Sequence, residues 1–118
     1  MIPKSLVAAS FKPFVLSVLA EGESYGYEII QRIHAMSHGK IKWATSTLYP
    51  VLHSLENQGL LASNWRAVED APRRKYYCLT AKGHRALSIE KEHWMDVHEA
   101  LMKLWHPTQP VGLNLALD

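Results

Sequence analysis

Two groups of side chains in this sequence could bind a polyanion. One is a run of three adjacent cations, Arg73, Arg74 and Lys75. The other lies on the polar side of a predicted helix and combines hydroxyls with an imidazole, at Ser46, Thr47, Tyr49 and His53. Hydroxyls and imidazoles bind phosphates or base edges, and cations beside a phosphate backbone add salt-dependent affinity. These residue types predict recognition of a nucleic acid rather than covalent chemistry.

Each of these residues also has an ordinary structural explanation. The cations could form a solubilising turn, and the polar side of the helix could simply face water. Tyr49 either contacts DNA or packs beside the neighbouring hairpin. Tyr25 either touches a phosphate through its hydroxyl or lies at the edge of the core. Lys42 flanks a predicted strand and is a weaker candidate for DNA contact.

The sequence lacks the residue patterns typical of a catalytic or metal site. His34 and His38 have a helical spacing that can hold zinc, but two ligands are too few. Cys78 lies in a predicted strand, where packing or plain exposure is a simpler role than that of a nucleophile. No Gly-rich phosphate loop or nucleophile elbow occurs. We therefore expect no enzymatic activity, no metal and no cofactor.

Charge is distributed unevenly along the chain, which has 118 residues, the length of one domain. Residues 1–85 hold 11 Lys or Arg against 6 Asp or Glu, a net charge of +5. Residues 86–118 hold 2 against 5, a net charge of −3, and the two sums give the overall +2. A basic first part and an acidic second part favour one surface that faces a polyanion and another with a different role.

The single cysteine and the N-terminal sequence predict a cytoplasmic protein without a membrane span. Cys78 cannot form an internal disulfide, which fits a reducing compartment. The first residues lack the basic, apolar and small-residue pattern of a secretory signal. No run of about 18 apolar residues occurs that could cross a bilayer.

Turn residues and helical spacing predict three helices in the first half of the chain. An almost wholly apolar run at 14–20 predicts a buried helix. Ser24 is predicted to cap a second helix over residues 25–37, with its apolar positions at Tyr27, Ile30, Ile33 and Met36. Residues 40–43 alternate polar and apolar, which predicts a short strand. A third helix follows and ends at Gly59, with an inner face formed by Leu48, Val51, Leu52 and Leu55.

A hairpin and a long helix complete the predicted order. Strands at 60–68 and 75–79 are predicted to flank a charged loop at 69–74. Thr80 is predicted to cap a last helix that runs to Trp105. The apolar face of this helix is broader than so small a domain can cover, so we expect it to form a homodimer through Leu87, Trp94, Val97, Leu101, Met102, Leu104 and Trp105.

This order predicts an α+β, mostly α fold, a winged helix-turn-helix with a C-terminal dimerisation helix. Residues 1–79 would form the DNA-binding domain, residues 80–105 the dimerisation helix and residues 106–118 a tail. A helix fits the major groove of double-stranded DNA, and the hairpin reaches flanking phosphates. The alternative is a winged helix that binds another protein, because the fold alone does not decide function.

Three separated motifs resemble the PadR family of transcriptional regulators. They are YGYEII at 25–30, TLYPVL with LENQGLL at 47–61, and RRKYYCLT at 73–80, and the resemblance spans roughly residues 14–105. The short C-terminal helix and Trp94 resemble the compact branch of that family. Cys78 departs from the pattern, since the family usually has a basic or polar residue there, which weakens a DNA contact at this position.

The resemblance implies that the protein is a repressor. A homodimer with a twofold axis would bind an inverted-repeat operator, one half-site for each copy. It also implies that Trp94 and its symmetry mate could flank a flat pocket for a small aromatic effector. The lining of this pocket would include Leu6, Ser10, Val97 and His98. The alternative is that these residues simply fill the dimer core.

Overall fold

A computed structural model describes residues 2–106 of the chain. It confirms the predicted mixed, mostly helical class and contains one small three-stranded sheet. In chain order the elements are α1 (Lys4–Ala9), α2 (Phe11–Ala20), β1 (Ser24–Tyr25), α3 (Gly26–Met36), α4 (Thr45–Asn57), β2 (Leu61–Val68), β3 (Ala71–Leu79) and α5 (Ala81–Trp105). None of these helices combines the length and apolarity needed to cross a bilayer.

Helix α2 lies at the centre of the core. Its apolar residues point in every direction, so a helix of this composition is stable only when neighbours surround it. The buried set on α2 is Val15, Leu16, Val18 and Leu19. Helices α3 and α4 and strand β3 all pack against it. The apolar run predicted at 14–20 is therefore a buried helix, and it begins three residues earlier, at Phe11.

The start of α3 differs from the prediction. Ser24 does not cap this helix, because it lies in β1, where it pairs with Tyr77 of β3 and is fully buried. Its hydroxyl donates instead to the Glu28 carboxylate, over 2.5 Å between Oγ and Oε1. The buried side of α3 also differs, since it consists of Gly26, Ile29 and Ile33, whereas Tyr27 and Met36 are exposed.

Residues 40–43 do not form the predicted strand. The alternation of polar and apolar residues does correspond to alternating burial, because Ile41 and Trp43 are buried while Lys42 is exposed. Trp43 packs against the ring edges of Phe11 and Phe14, with centroids 4.7 and 5.9 Å apart. The segment therefore anchors the connection between α3 and α4 by its side chains and not by strand pairing.

Strands β1, β3 and β2 form an antiparallel sheet in that order, and β2 and β3 make the wing. The predicted six-residue loop at the tip is wrong, since only Glu69 and Asp70 separate the two strands. Asp70 has a φ of 57°, a left-handed conformation that Asp tolerates in tight turns. Residues 71–74, predicted as loop, therefore lie in β3 and their side chains alternate between the two faces of the wing.

Helix α5 begins as predicted, with Thr80 as its cap. The Gly83 N–H donates to Thr80 Oγ1 over 3.0 Å, and the Thr80 N–H donates to the Leu60 carbonyl over 3.1 Å. The chain packs as two units, Met1–Ser88 and Ile89–Asp118. The first unit thus extends nine residues beyond the predicted boundary at residue 79, because Gly83 and Leu87 are buried. Of the predicted tail, residues 107–118 lie outside the described part of the chain.

Replacing Gly83 with alanine is expected to destabilise the protein. A Cβ atom here would overlap the Leu60 carbonyl oxygen, which accepts the Thr80 N–H. Overpacking of this kind costs about 1–3 kcal/mol, and a backbone overlap belongs at the upper end, so it exceeds the ~1 kcal/mol gained from the better helix propensity of alanine. Urea unfolding should show a net loss, whereas His84→Ala, at the exposed neighbour, should change stability by less than about 0.5 kcal/mol. Equal stability of Gly83→Ala and wild type would contradict this packing.

Candidate nucleic-acid interface

The rotation of α4 is set by its buried leucines. Leu48, Leu52 and Leu55 are buried, and Val51 is half-buried. The structure places on the opposite, exposed side the predicted contact residues Ser46, Thr47, Tyr49 and His53. Helix α4 has no side-chain cap at Ala44. The first backbone N–H groups of the helix therefore lie near exposed hydroxyls, an arrangement that favours a phosphate.

Tyr49 packs on the first residue of α3. An added Cβ atom on Gly26 would lie 2.8 Å from Tyr49 Oη and 3.0 Å from Cζ, so only glycine leaves room for this ring. Tyr49 stays 39% exposed, and its ring centroid is 6.5 Å from that of His53. The ring is therefore packed on α3 and still accessible to solvent, and its contact with DNA stays a prediction.

A groove of about 540 Å³ lies between α4, the start of α3 and the wing. Aromatic rings and cations dominate its walls, which are formed by Tyr25, Gly26, Tyr27, Tyr49, His53, Trp65, Ala71, Pro72, Arg73, Arg74, Lys75 and Tyr77. Six of the predicted contact residues line this groove: Tyr25, Tyr49, His53, Arg73, Arg74 and Lys75. All of these residues belong to the first packing unit.

Strand alternation separates the three wing cations. Arg73 lies on the same face as Trp65, with its guanidinium 5.5 Å from the indole centroid. Arg74 lies on the other face, opposite Arg66 in the strand register, and its guanidinium covers the ring of Tyr25 at 4.3 Å. The adjacent cations of the sequence are therefore held by aromatic rings on two different sides of the wing.

Lys75 differs from its neighbours because it has an acidic partner inside the protein. Its Nζ lies 3.6 Å from the Glu56 carboxylate of α4, which also accepts the hydroxyl of Ser63 from β2. Burial raises the pKa of the nearby Tyr77 phenol, against the opposing positive charge of Lys75. Tyr77 is thus neutral at physiological pH, and Lys75 offers less free charge to a polyanion than Arg73 does.

Lys42 and Tyr25 occupy separate places. Lys42 is exposed and borders a second concavity of about 340 Å³, together with Trp43 and Thr45 at the start of α4. Tyr25 lies in β1 and packs edge to face with Tyr76 of β3, with centroids 5.4 Å apart. Tyr25 therefore lies at the edge of the sheet, with its ring beneath the Arg74 guanidinium.

Sequence analysis missed Trp65 and Arg66 on the wing. Trp65 lines the groove, and Arg66 forms an ion pair with Glu23 while lying 4.7 Å above the ring of Tyr76. The available signal was strand alternation, which puts Trp65 on the same face as its cross-strand partner Lys75. The same alternation puts Arg73 on the face of Trp65, but only if β3 begins at Ala71 and not at the predicted Lys75.

The residues predicted for dimer and ligand contacts show mixed exposure. Leu87 is 4% exposed and part of the core of the first unit, so it is not available to a partner and that prediction is wrong. In the second unit, Met102 is half-buried, and the exposed residues are Trp94, Val97, His98, Leu101, Leu104 and Trp105. On α1, Leu6 is exposed, and the Ser10 hydroxyl donates to the Val7 carbonyl over 2.6 Å. A role in ligand binding stays a prediction for these residues.

The pair α3 and α4, joined to a two-stranded basic wing, defines a winged-helix protein of the DNA-binding class. The model of the PadR-like family of transcriptional regulators matches residues 15–89, more than half of the chain. The chain therefore belongs to the PadR-like family of transcriptional regulators. In the described residues 2–106, no group of three potential metal ligands occurs.

Similar proteins agree with this assignment. Transcriptional regulator Rv3488 of Mycobacterium tuberculosis is 35% identical over 83 residues, which cover 70% of this chain and 74% of that protein. A PadR family regulator from Eggerthella lenta has a TM-score of 0.72 at 35% identity, covering 88% of both chains. A transcriptional regulator from Clostridium thermocellum has a TM-score of 0.77 at 29% identity, covering 87% of this chain and 97% of its own. The chain is thus a DNA-binding transcriptional regulator and not an enzyme.

Gly26→Ala is expected to weaken DNA binding by displacing Tyr49. The added methyl group would meet the phenol end of the ring, which can rotate away, so the fold should tolerate the change. DNA affinity measured by fluorescence anisotropy should then fall as far as it does in Tyr49→Ala. In a double-mutant cycle, Gly26→Ala should have little further effect once Tyr49 is alanine. Two fully additive losses would show that the glycine does not act through this tyrosine.

Proposed function

We propose that this protein represses transcription as a homodimer bound to an inverted-repeat DNA site. The proposal depends on the groove between α4 and the wing. Hydroxyl groups and cations line this groove together, and all of them belong to the first packing unit. Each copy would insert α4 into a major groove and set its wing on the flanking backbone. A repressor acting in this way blocks access of the transcription machinery to the DNA that it covers.

The contacts with DNA divide into two kinds. Thr47 and Tyr49 on α4 are the candidates for base edges, with Ser46 and His53 beside them. Arg73 and Arg74 on the wing, with Lys42 near the start of α4, are the candidates for phosphates. Phosphate contacts set affinity and its salt dependence, whereas base contacts set sequence preference. Lys75 contributes less, because Glu56 already pairs with it.

Pairing of two copies is supported by the exposed apolar residues of the second unit. Large hydrophobic side chains at Trp94, Val97, Leu101, Leu104 and Trp105 are between 37% and 76% exposed. A monomeric soluble protein rarely exposes so many on one helix segment. A second copy would cover them and would place two recognition helices about 34–36 Å apart, the repeat of one DNA turn.

An aromatic effector is the regulatory part of the proposal. In a pair of this kind, Trp94 and its mate would offer flat apolar faces, with Val97 and His98 nearby on the same helix. Indole faces stack on planar aromatic ligands. Binding of such a ligand would release the operator if it favoured a pairing with a different spacing between the two recognition helices.

The DNA contact is tested by binding to the upstream region of the protein's own gene over a series of salt concentrations. The logarithm of the association constant should fall linearly with the logarithm of the salt concentration. Arg73→Gln should flatten this slope by about 0.9, the contribution of one phosphate contact, while Arg85→Gln on α5 serves as the matched control. Binding that ignores salt, or a wild-type protein that binds no DNA, would favour the protein-binding alternative.

Homodimer formation is tested by placing a charge in the exposed apolar set. Leu101→Glu should convert the protein to a monomer in sedimentation experiments at micromolar concentration, because an unpaired carboxylate is costly in an apolar interface. Glu92→Lys is the control, since it lies nine residues earlier and about half a turn away around the helix. Leu101→Glu should also weaken operator binding and remove any effector site between two copies. A wild-type protein that sediments as a monomer would contradict the pairing.

A further inference from the structure

Trp65 is a large apolar side chain to which the proposed DNA contacts assign no role. It lies in β2 and is 57% exposed. It is far from the dimerisation residues in the sequence and belongs to the first packing unit. Trp65 is not part of the buried core, and more than half of its surface stays in contact with solvent.

The surroundings of Trp65 define one side of the groove. Its cross-strand partner is Lys75, and the guanidinium of Arg73 lies 5.5 Å from the centre of its ring. The indole and both cations line the groove, together with Tyr49 and His53 from α4. Any molecule held between α4 and the wing therefore meets an uncharged ring directly beside a cation.

A DNA backbone has the chemistry that matches this pair. Along each strand, charged phosphates alternate with deoxyribose rings whose carbon atoms are apolar. An Arg73 guanidinium held over the indole can bind a phosphate while the free part of the ring packs on the neighbouring sugar. A cation alone would match the phosphate only.

Resting on the proposed function, we propose that Trp65 packs against a deoxyribose of the bound DNA, next to the phosphate that Arg73 contacts. The contact would contribute affinity that does not depend on charge. It would also restrict the positions that the wing can occupy along the DNA strand. It adds a groove-facing residue to the contacts predicted from the sequence.

The test separates an apolar contact from an ionic one by salt dependence. Trp65→Ala should lower affinity for the operator by about tenfold, the loss expected for uncovering about 55 Å² of apolar surface, roughly a quarter of the side chain. This loss should be equal at every salt concentration, so the slope stays that of wild type. Arg73→Gln should change the slope itself. Met36→Ala removes another exposed apolar side chain, 60% exposed and outside the groove, and should leave binding unchanged.

A fluorescence measurement gives a second readout. Operator DNA should change the emission of wild-type protein, and Trp65→Phe should lose most of that change while keeping most of the affinity. Unfolding curves for both variants check that the hairpin remains folded. Wild-type affinity of Trp65→Ala, or a loss that vanishes at high salt, would overturn the sugar contact while leaving DNA binding in place. Failure of the wild-type protein to bind DNA would instead overturn the regulator proposal as well.

Discussion

The burial of three leucines on one side of α4 is the constraint on which the interface depends. Leu48, Leu52 and Leu55 are 0–3% exposed, and turning the helix by one residue would bring them toward water. Uncovering a buried leucine costs about 1.5–3 kcal/mol, so the core fixes the rotation of α4 without help from the exposed side. Substitutions of the exposed residues Ser46 and Thr47 should therefore cost little in folding.

The wing is connected to the helices at several points. Strand β1 joins the entry of α3 directly to β3, and Arg66 pairs with Glu23 just ahead of that strand. Glu56 connects α4 to both wing strands through Lys75 and Ser63. These contacts use part of the positive charge internally. Net charge along the sequence therefore overstates the charge available to DNA, because Arg66 and Lys75 of the wing already have acidic partners.

Local patterns predicted the parts of the fold that local physics decides. The spacing of leucines at 48–55 was sufficient for α4 and for its exposed side, and Thr80 was recognisable as a cap. The errors depend on contacts between distant residues. Ser24 is a suitable cap in isolation, but pairing with Tyr77 draws it into the sheet. Leu87 belongs to the apolar line of α5, but close packing at Gly83 places it in the core of the first unit. The spacing of apolar residues in the sequence predicts neither the strand pairing of Ser24 nor the burial of Leu87.

A two-residue turn at Glu69 and Asp70 keeps β2 and β3 paired almost to the tip of the wing. The distance that the wing spans is therefore set by the length of its strands, and a paired hairpin adapts less to backbones at different distances than a long loop would. In the proposed complex, DNA whose backbone lies at another distance from α4 would have to deform to meet the wing. The energy of that deformation depends on base steps that no side chain touches. The protein would thereby discriminate among operators by their shape and flexibility, in addition to the bases under α4.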